Sequence, residues 1–318
     1  MSYVRSSGPR CGRRRRGGAT AVGLLTAALV LSACNAPAAK SGAKLRAVGA
    51  ENEYANVITQ IGGRFVSVDA VMSNPNTDPH TFEASASVAQ EIASAQLVVQ
   101  NGVGYDTFMQ QLESSTPNSS RRVIDVQQLL GLSLKTKNPH LWYDPKTMPA
   151  VATQVAHDLA SLAPKHAAYF TERLNAFLAS LQPVELAIKT FKARFAGVEV
   201  ATTEPVADYL LQALGLDNVT PFRFQADIMN GVDPSPEDIA FQQGLFTSHR
   251  AKVFCYNAQV SSTVTVAMRS LAESSHVPVV AVYETMPTPG FDYQTWMLAE
   301  ISALTKALTM HVSTKELS

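Results

Sequence analysis

Two series of short apolar runs that alternate with helical patterns constrain the fold of this 318-residue chain more than any other feature. The apolar runs are rich in β-branched residues, and each is followed by a stretch with helical spacing. This alternation is typical of parallel sheets whose strands are connected by crossover helices. The predicted strands are residues 45–49, 65–72, 97–100 and 122–126 in the first series, and residues 198–203, 219–224, 252–256 and 279–283 in the second. The sequence therefore predicts an α/β fold with two parallel-sheet lobes.

A long helical segment separates the two series. Residues 147–162 have a helical pattern, Pro164 suits a first helical turn, and helical spacing continues over residues 165–194. The last stretch would measure roughly 45 Å as one helix, enough to run the height of both lobes. Pro183 is expected to remove one helical hydrogen bond and to kink it. We expect an N-terminal lobe at 45–163, a long rigid linker helix at 164–196, and a C-terminal lobe at 197–318.

The first 44 residues have the organisation of an export signal and a tether. Six Arg precede an uncharged apolar run at residues 19–31, which is shorter than the ~20 residues needed to span a bilayer. The string Leu31-Ser32-Ala33-Cys34 resembles the bacterial lipobox, in which the Cys carries diacylglycerol and becomes the mature N-terminus. An ordinary signal-peptidase site or a twin-arginine signal are the alternatives. We expect a signal peptide at 1–33, lipid anchoring at Cys34 to the outer face of the cytoplasmic membrane, and a flexible tether at 34–44.

The charge distribution argues against nucleic acid as a partner. Six of the 26 basic residues lie in the first 33 residues, which contain no acidic residue, so 20 basic and 26 acidic residues remain in the body. A body with a net charge of −6 and no block of Lys or Arg lacks the positive surface that binding to a phosphate backbone requires.

Four side chains that can bind metal ions occur in loops or at the ends of predicted strands. His80 and His140 each follow a Pro, Glu204 ends the first strand of the second series, and Glu284 ends its last strand. In open α/β sheets, ligands bind at the carboxyl ends of strands. Taken singly, each His could be a surface residue and each Glu a helix N-terminal acid. Together, two imidazoles and two carboxylates suit a divalent metal site in the cleft between the lobes.

Six motifs, in this order along the chain, resemble those of the metal-binding lipoproteins of bacterial ABC importers, the cluster A-I solute-binding family. They are residues 51–54, 61–63, 78–80, 101–106, 139–145 and 283–287. The resemblance covers about residues 45 to 310. It implies two α/β lobes joined by one long rigid helix, with zinc, manganese or iron held between them, and a membrane permease as the partner.

The resemblance also implies which residues bind the metal. His80 and His140 match the two ligands of the first lobe, and Glu204 matches the third, since it precedes Ala207 and the Tyr209-Leu210 pair. The fourth family ligand is usually an Asp. Glu284 stands nearest to that place, and Asp292, eight residues later, is the rival.

The identity of the metal stays open between zinc and manganese. Zinc-specific relatives often have a His-rich, acidic loop between the first two ligand motifs, and this chain has no His between His80 and His140. A site of mixed nitrogen and oxygen ligands still binds Zn²⁺ more tightly than Mn²⁺ in the usual affinity order.

An enzyme is the main alternative class. Catalytic zinc keeps one position open to water, whereas four protein ligands would close it, and the chain has no His-Glu-x-x-His motif. The expectation is therefore a non-enzymatic, monomeric binding protein that delivers its metal to an ABC permease, with an additional adhesin role left open.

Overall fold

The computed structural model describes residues 44–74, 82, 84–287 and 289–317. It contains two parallel sheets of four strands, and both lie in one compact unit, Ala43–Ser318. Crossover helices connect the strands, which confirms the α/β fold with two lobes. Within the described ranges, no helix has both the length and the apolar character needed to cross a membrane.

The first sheet has the strand order β2-β1-β3-β4, and every neighbouring pair is parallel. Its strands are β1 (Leu45–Glu51), β2 (Val66–Met72), β3 (Leu97–Gln100) and β4 (Arg122–Asp125). The helices of this lobe are α1 (Asn52–Gly62), α2 (Ala86–Ser94), α3 (Thr107–Ser115), α4 (Val126–Leu129) and α5 (Thr147–Leu162).

Helix α1 shows how the sequence builds this lobe. Tyr54, Val57, Ile58 and Ile61 recur at intervals of three and four residues, and all four are fully buried. This spacing puts them on one face of the helix, so α1 packs that face on the sheet. Gly63 ends the helix with a φ of 50°, and a Cβ there would collide with the hydroxyl of Tyr169. The turn therefore requires glycine for two independent reasons.

Two helices, rather than one, connect the lobes. Helix α6 (Ala167–Ser180) is separated by the single residue Leu181 from α7 (Gln182–Phe195). The interruption lies where Pro183 was expected to kink the segment, since proline has no N–H to donate and fits best in a first helical turn. The expectation of one continuous linker helix is thus corrected to two helices in sequence.

The second sheet repeats the arrangement, with the strand order β6-β5-β7-β8 and parallel neighbours throughout. Its strands are β5 (Glu199–Thr202), β6 (Asp217–Asn218), β7 (Phe254–Asn257) and β8 (Val279–Val282). Its helices are α8 (Asp208–Ala213), α9 (Phe222–Met229), α10 (Pro236–Thr247), α11 (Thr263–Ser274) and α12 (Tyr293–Met310).

One predicted strand is largely absent. Residues 219–224 were expected to form a strand, but the edge strand β6 has only two residues and α9 starts at Phe222. Pro221 lies between them with a φ of −58°. Because it cannot donate a ladder hydrogen bond and its φ suits the start of a helix, the strand stops and the helix begins there.

The hydrophobic core is continuous between the lobes. One cluster of buried side chains includes members of both, among them Trp142 of the first lobe and Trp296 of α12, each fully buried. The rings of Tyr143 and Trp296 meet edge to face with centroids 5.3 Å apart. The two halves therefore pack against each other through apolar surface, which places the ends of their strands in a fixed relation.

Candidate metal centre

His140 lies in a short buried loop of the first lobe, between α4 and α5. It follows Pro139 and precedes a single 3-10 turn, Leu141–Tyr143, and its side chain is fully buried. Its Nδ1 lies 2.8 Å from Oδ1 of Asn138, while the amide nitrogen of Asn138 donates to the carbonyl of Pro205 at 2.8 Å. The oxygen of Asn138 therefore faces the imidazole and accepts from Nδ1–H, which leaves Nε2 as the ring nitrogen that can face a metal ion.

The Nε2 atom of His140 faces the second lobe. Nε2 lies 3.5 Å from Oε2 of Glu284, and among the described residues it has no hydrogen-bond partner. A buried imidazole whose Nδ1 is held by an amide oxygen and whose Nε2 faces a carboxylate has the arrangement of a metal ligand. The two side chains come from different lobes and are both fully buried.

Two carboxylates occupy the carboxyl ends of strands in the second sheet. Glu204 follows β5 and is 2% exposed, and Glu284 follows β8 and is fully buried. Asn257, the last residue of the intervening strand β7, donates from Nδ2 to Oε1 of Glu204 at 3.1 Å and to Oε1 of Glu284 at 2.6 Å. One amide group thus holds both carboxylates.

Tyr105 also contacts Glu284. Its hydroxyl donates to Oε2 of Glu284 at 2.9 Å. Burial, followed by the charge of Glu284, raises the pKa of Tyr105 well above its ordinary value. The phenol therefore stays protonated and acts as a hydrogen-bond donor that stabilises the ionised carboxylate.

Three further acids of the first lobe, Glu51, Glu53 and Asp106, are buried. Burial raises the pKa of Glu53 to about 8 and that of Asp106 to about 6. Burial also raises the pKa of Glu51 well above its ordinary value, with further contributions from Asp106 and Glu53. Glu53 is therefore mostly protonated at neutral pH, and the raised pKa of Glu51 shifts that carboxyl toward its neutral form as well.

The structure describes three of the four predicted ligands. His140 and Glu284 face each other, and Asn257 links Glu284 to Glu204. The fourth, His80, lies outside the described residues, as does Cys34. Within the described part of the chain, no three His, Cys, Asp or Glu side chains are close enough to form a metal site by themselves.

Asp292, the rival fourth ligand, has a structural role. Its carboxylate accepts hydrogen bonds from the backbone N and the hydroxyl of Thr295, at 2.8 and 2.6 Å, and so caps the start of α12. This reciprocal arrangement between the cap residue and the third helical residue is a capping box.

The contacts of Asn257, Asn138 and Tyr105 were not foreseen from the sequence. The sequence did contain one indication for Asn257. It follows the predicted strand 252–256, which belongs to the same series as the strands that lead to Glu204 and Glu284. Asn138 and Tyr105 lie within motifs noted in the sequence, but their hydrogen-bond partners are distant along the chain.

Comparison with known proteins identifies the family. Residues 48–307 match the family described as ZnuA, zinc-uptake complex component A, periplasmic. The chain belongs to this family. The match confirms the resemblance that the motifs indicated, and it covers both sheets and both connecting helices.

Individual relatives in this family are distant in sequence. The zinc-binding protein TroA of Treponema pallidum is 27% identical over 154 residues, which is 46% of this chain and only half the length of that relative. The manganese ABC transporter substrate-binding lipoprotein PsaA of Streptococcus anginosus is 21% identical over 80% of this chain and 84% of its own.

Solved structures of the family share the fold. The periplasmic zinc-binding protein TroA of T. pallidum superposes with a TM-score of 0.69 at 20% identity, over 83% of this chain and 99% of that one. FpvC of Pseudomonas aeruginosa, solved in complex with Mn²⁺, gives a TM-score of 0.70 at 20% identity, over 84% and 99%. At this level of identity the likeness concerns the architecture alone.

Proposed function

We propose that this protein captures a divalent transition metal ion, zinc or manganese, outside the cytoplasm and delivers it to an ABC-type permease in the membrane. The observation that carries the proposal is the pairing of His140 with Glu284 across the lobe boundary, with Nε2 directed at the carboxylate and 3.5 Å from it. Relatives named as zinc-binding or manganese-transport proteins support a divalent transition metal as the ion that is bound. The ion is cargo, so the protein performs no reaction on it.

The proposed ligands are His80, His140, Glu204 and Glu284, two from each lobe. Two neutral imidazoles and two carboxylates balance the charge of a divalent ion. This balance offsets the desolvation free energy that a buried ion would otherwise cost. The hydrogen bonds from Asn257 and Tyr105 to Glu284, and from Asn257 to Glu204, favour the ionised carboxylates that a metal needs. We leave Asp292 out of this set, since its carboxylate accepts hydrogen bonds from Thr295 at the start of α12.

Calorimetric titration of the purified protein with Zn²⁺ and with Mn²⁺ tests the proposal. The wild type is expected to bind one ion, and His140→Ala and Glu284→Gln are each expected to lose most of the affinity. His157→Ala is the matched control, since His157 is an exposed His on α5. Unchanged binding in both site variants would refute the assignment, and binding of neither ion by the wild type would refute the function.

The anchoring part of the proposal rests on Cys34 alone. We infer that Cys34 carries the lipid and that the mature protein is a monomer tethered to the outer face of the cytoplasmic membrane. Fractionation of cells tests this, because Cys34→Ala is expected to move the protein from the membrane fraction to the soluble one. Equal membrane retention of Cys34→Ala and wild type would contradict lipidation.

A further inference from the structure

Helix α1 of the first lobe presents a row of three side-chain amides to the second lobe. Asn52, Asn56 and Gln60 recur every four residues, so they lie on one face of the helix. Asn56 accepts from the backbone N–H of Tyr293 at 3.2 Å, and the amide of Gln60 accepts from that of Gln294 at 2.9 Å. These two contacts are at the start of α12, whereas Asn52 contacts the segment that precedes it.

Asn52 holds the backbone of the loop that carries Glu284. Its Nδ2 donates to the carbonyl of Met286 at 2.8 Å, and its Oδ1 accepts from the N–H of the same residue at 3.0 Å. A flipped amide would place donor against donor and acceptor against acceptor, so the contact itself fixes the orientation. Asn52 is 6% exposed and Met286 is 2% exposed, so both hydrogen bonds are shielded from water.

A second side-chain amide holds the same loop from within the second lobe. Oε1 of Gln259 accepts from the N–H groups of Glu284 and Thr285, at 2.5 and 2.8 Å. Side-chain oxygens thus accept from three consecutive N–H groups, those of residues 284–286, two through Gln259 and one through Asn52. The loop is therefore fixed at one end by its own lobe and at the other end by the opposite lobe.

We propose that Asn52 is a positioning residue of the metal centre, which locks the Glu284 loop from the first lobe and thereby slows the departure of a bound ion. This inference rests on the proposed function, and it deepens it by naming the contact that controls release. It concerns the backbone of the loop and is independent of how many carboxylate oxygens bind the ion.

The place of Met286 in the chain connects the Asn52 contact to Glu284. Only Thr285 separates the two residues, so a displacement of the Met286 backbone carries Glu284 with it. For Glu284 to leave the site in this way, the loop must break both hydrogen bonds with Asn52. Buried polar groups that lose their partners carry a free-energy penalty, so such openings are rare while the contact is intact. An ion held by Glu284 therefore leaves at a rate that this contact controls.

The dissociation rate of Zn²⁺ measures this effect. The loaded protein is mixed with a chromogenic chelator, at concentrations where the rate no longer depends on the chelator. The variant is Asn52→Ala, in which the side chain of Met286 still packs in the core shared by the lobes. Asn56→Ala is the matched control. Asn56 lies one turn further along the same face of α1 and also accepts a hydrogen bond from the second lobe, but from Tyr293.

In Asn52→Ala, the dissociation rate is expected to rise by about tenfold, the scale of effects from residues that orient metal ligands. The association rate is expected to change less, because the loop still reaches the same bound position. Asn56→Ala loses a hydrogen bond between the lobes but is expected to keep the wild-type dissociation rate. An unchanged rate in folded Asn52→Ala would overturn the inference. An equal rise in Asn56→Ala would also overturn it, since the effect would then be one of general stability.

Hydrogen exchange of the wild type keeps the test decisive if Asn52→Ala does not fold. If loss of the ion requires the loop to open, bound Zn²⁺ must oppose that opening by linkage. The amide of Met286 is therefore expected to gain more protection from Zn²⁺ than the amide of Tyr293, which donates to Asn56. Equal gains at the two amides would overturn the inference. If the wild type binds neither zinc nor manganese, the proposed function fails instead.

Discussion

At the scale of single residues, the hydrogen bonds around His140 decide how the imidazole can act. Asn138 receives Nδ1–H and the backbone N–H of His140 on one oxygen, and donates to Pro205 in the other lobe. An imidazole held in this way keeps one ring orientation, so it is already ordered by folding before any ligand binds.

We expect Asn138→Leu to lower metal affinity by about 10- to 100-fold, because Nδ1 loses its acceptor and the ring is no longer held. Asn138→Asp retains an oxygen opposite Nδ1 and is expected to lose much less. Calorimetric titration of both variants measures the difference. Equal losses in the two variants would show that the amide donor to Pro205, rather than the contact with His140, is what matters.

The residues of the site differ in how readily the sequence reveals them. His140, Glu204 and Glu284 carry metal-binding groups in loops or at strand ends, so their residue type and their place were sufficient to select them. For Asn257, the sequence showed only that a predicted strand ends beside it, and its role also depends on the strand order, which places β7 between β5 and β8. A single sequence does not give that order, because strands separated by whole helices pair through contacts that leave no local pattern.

At the scale of elements, α12 joins the lobes and carries two acids with different roles. Asp292 caps its first turn. Glu300, one turn beyond Trp296, is 1% exposed, accepts from Nε1 of Trp296 at 3.2 Å, and lies 3.1 Å from the hydroxyl of Tyr143 in the first lobe. The helix is thus fixed at its start by a cap and in its middle by a buried polar contact between lobes.

Asp292→Ala is expected to destabilise the protein by about 1 kcal/mol through loss of the helix cap, without a change in metal affinity. Chemical denaturation measures the first effect and calorimetric titration the second. Glu284→Gln serves as the comparison, since it is expected to lose affinity. A loss of affinity in Asp292→Ala as large as that in Glu284→Gln would make Asp292 the fourth ligand.

The buried carboxyl of Glu300 is expected to make the free energy of unfolding of the protein depend on pH. Burial raises its pKa from 4.5 to about 8. Between these values the folded protein keeps a proton that the unfolded chain has lost, so the contribution of Glu300 is fully present below pH 4.5 and declines as pH rises toward 8, by up to about 1.4 kcal/mol per pH unit.

Glu300→Gln removes this titration and keeps an acceptor for Trp296, so its stability relative to wild type is expected to increase steadily from pH 5 to pH 8. Denaturation with urea in the presence of a chelator, at several pH values, measures the trend. Glu172→Gln, an exposed position on α6, is the control and is expected to show no such trend. A pH-independent difference between Glu300→Gln and wild type would contradict the raised pKa.

The boundaries of elements were predictable where proline sets them and less so elsewhere. Pro183 correctly indicated an interruption in the connecting segment, but the sequence alone did not show that it divides the segment into two helices. The apolar residues near Pro221 have the pattern of a strand, yet the fixed φ of proline starts α9 there. At that position, the fixed φ of Pro221 determined the structure, and the hydrophobic pattern of the neighbouring residues did not.

At the scale of the whole molecule, polar contacts and core packing both bind the lobes together. Asn52, at the start of α1, donates to the carbonyl of Met286 at 2.8 Å and accepts from its N–H at 3.0 Å. The hydroxyl of Tyr293 donates to the carbonyl of Trp142 at 2.9 Å. All these groups are buried, so separation of the lobes would expose unsatisfied polar groups together with the shared apolar core.

This arrangement predicts that the protein unfolds as one unit and changes little in shape when it binds metal. Differential scanning calorimetry is expected to show a single transition, and Zn²⁺ at a hundred times its dissociation constant is expected to add about 2.7 kcal/mol of stability. Small-angle X-ray scattering is expected to give the same radius of gyration with chelator and with Zn²⁺, because opening would break the Asn52 contacts.

Asn52→Ala is the matched variant, in which loss of both contacts weakens the boundary between the lobes and lowers the transition temperature. Two separate transitions in the wild type, or a clear contraction on binding Zn²⁺, would mean that the lobes move as independent bodies around the site.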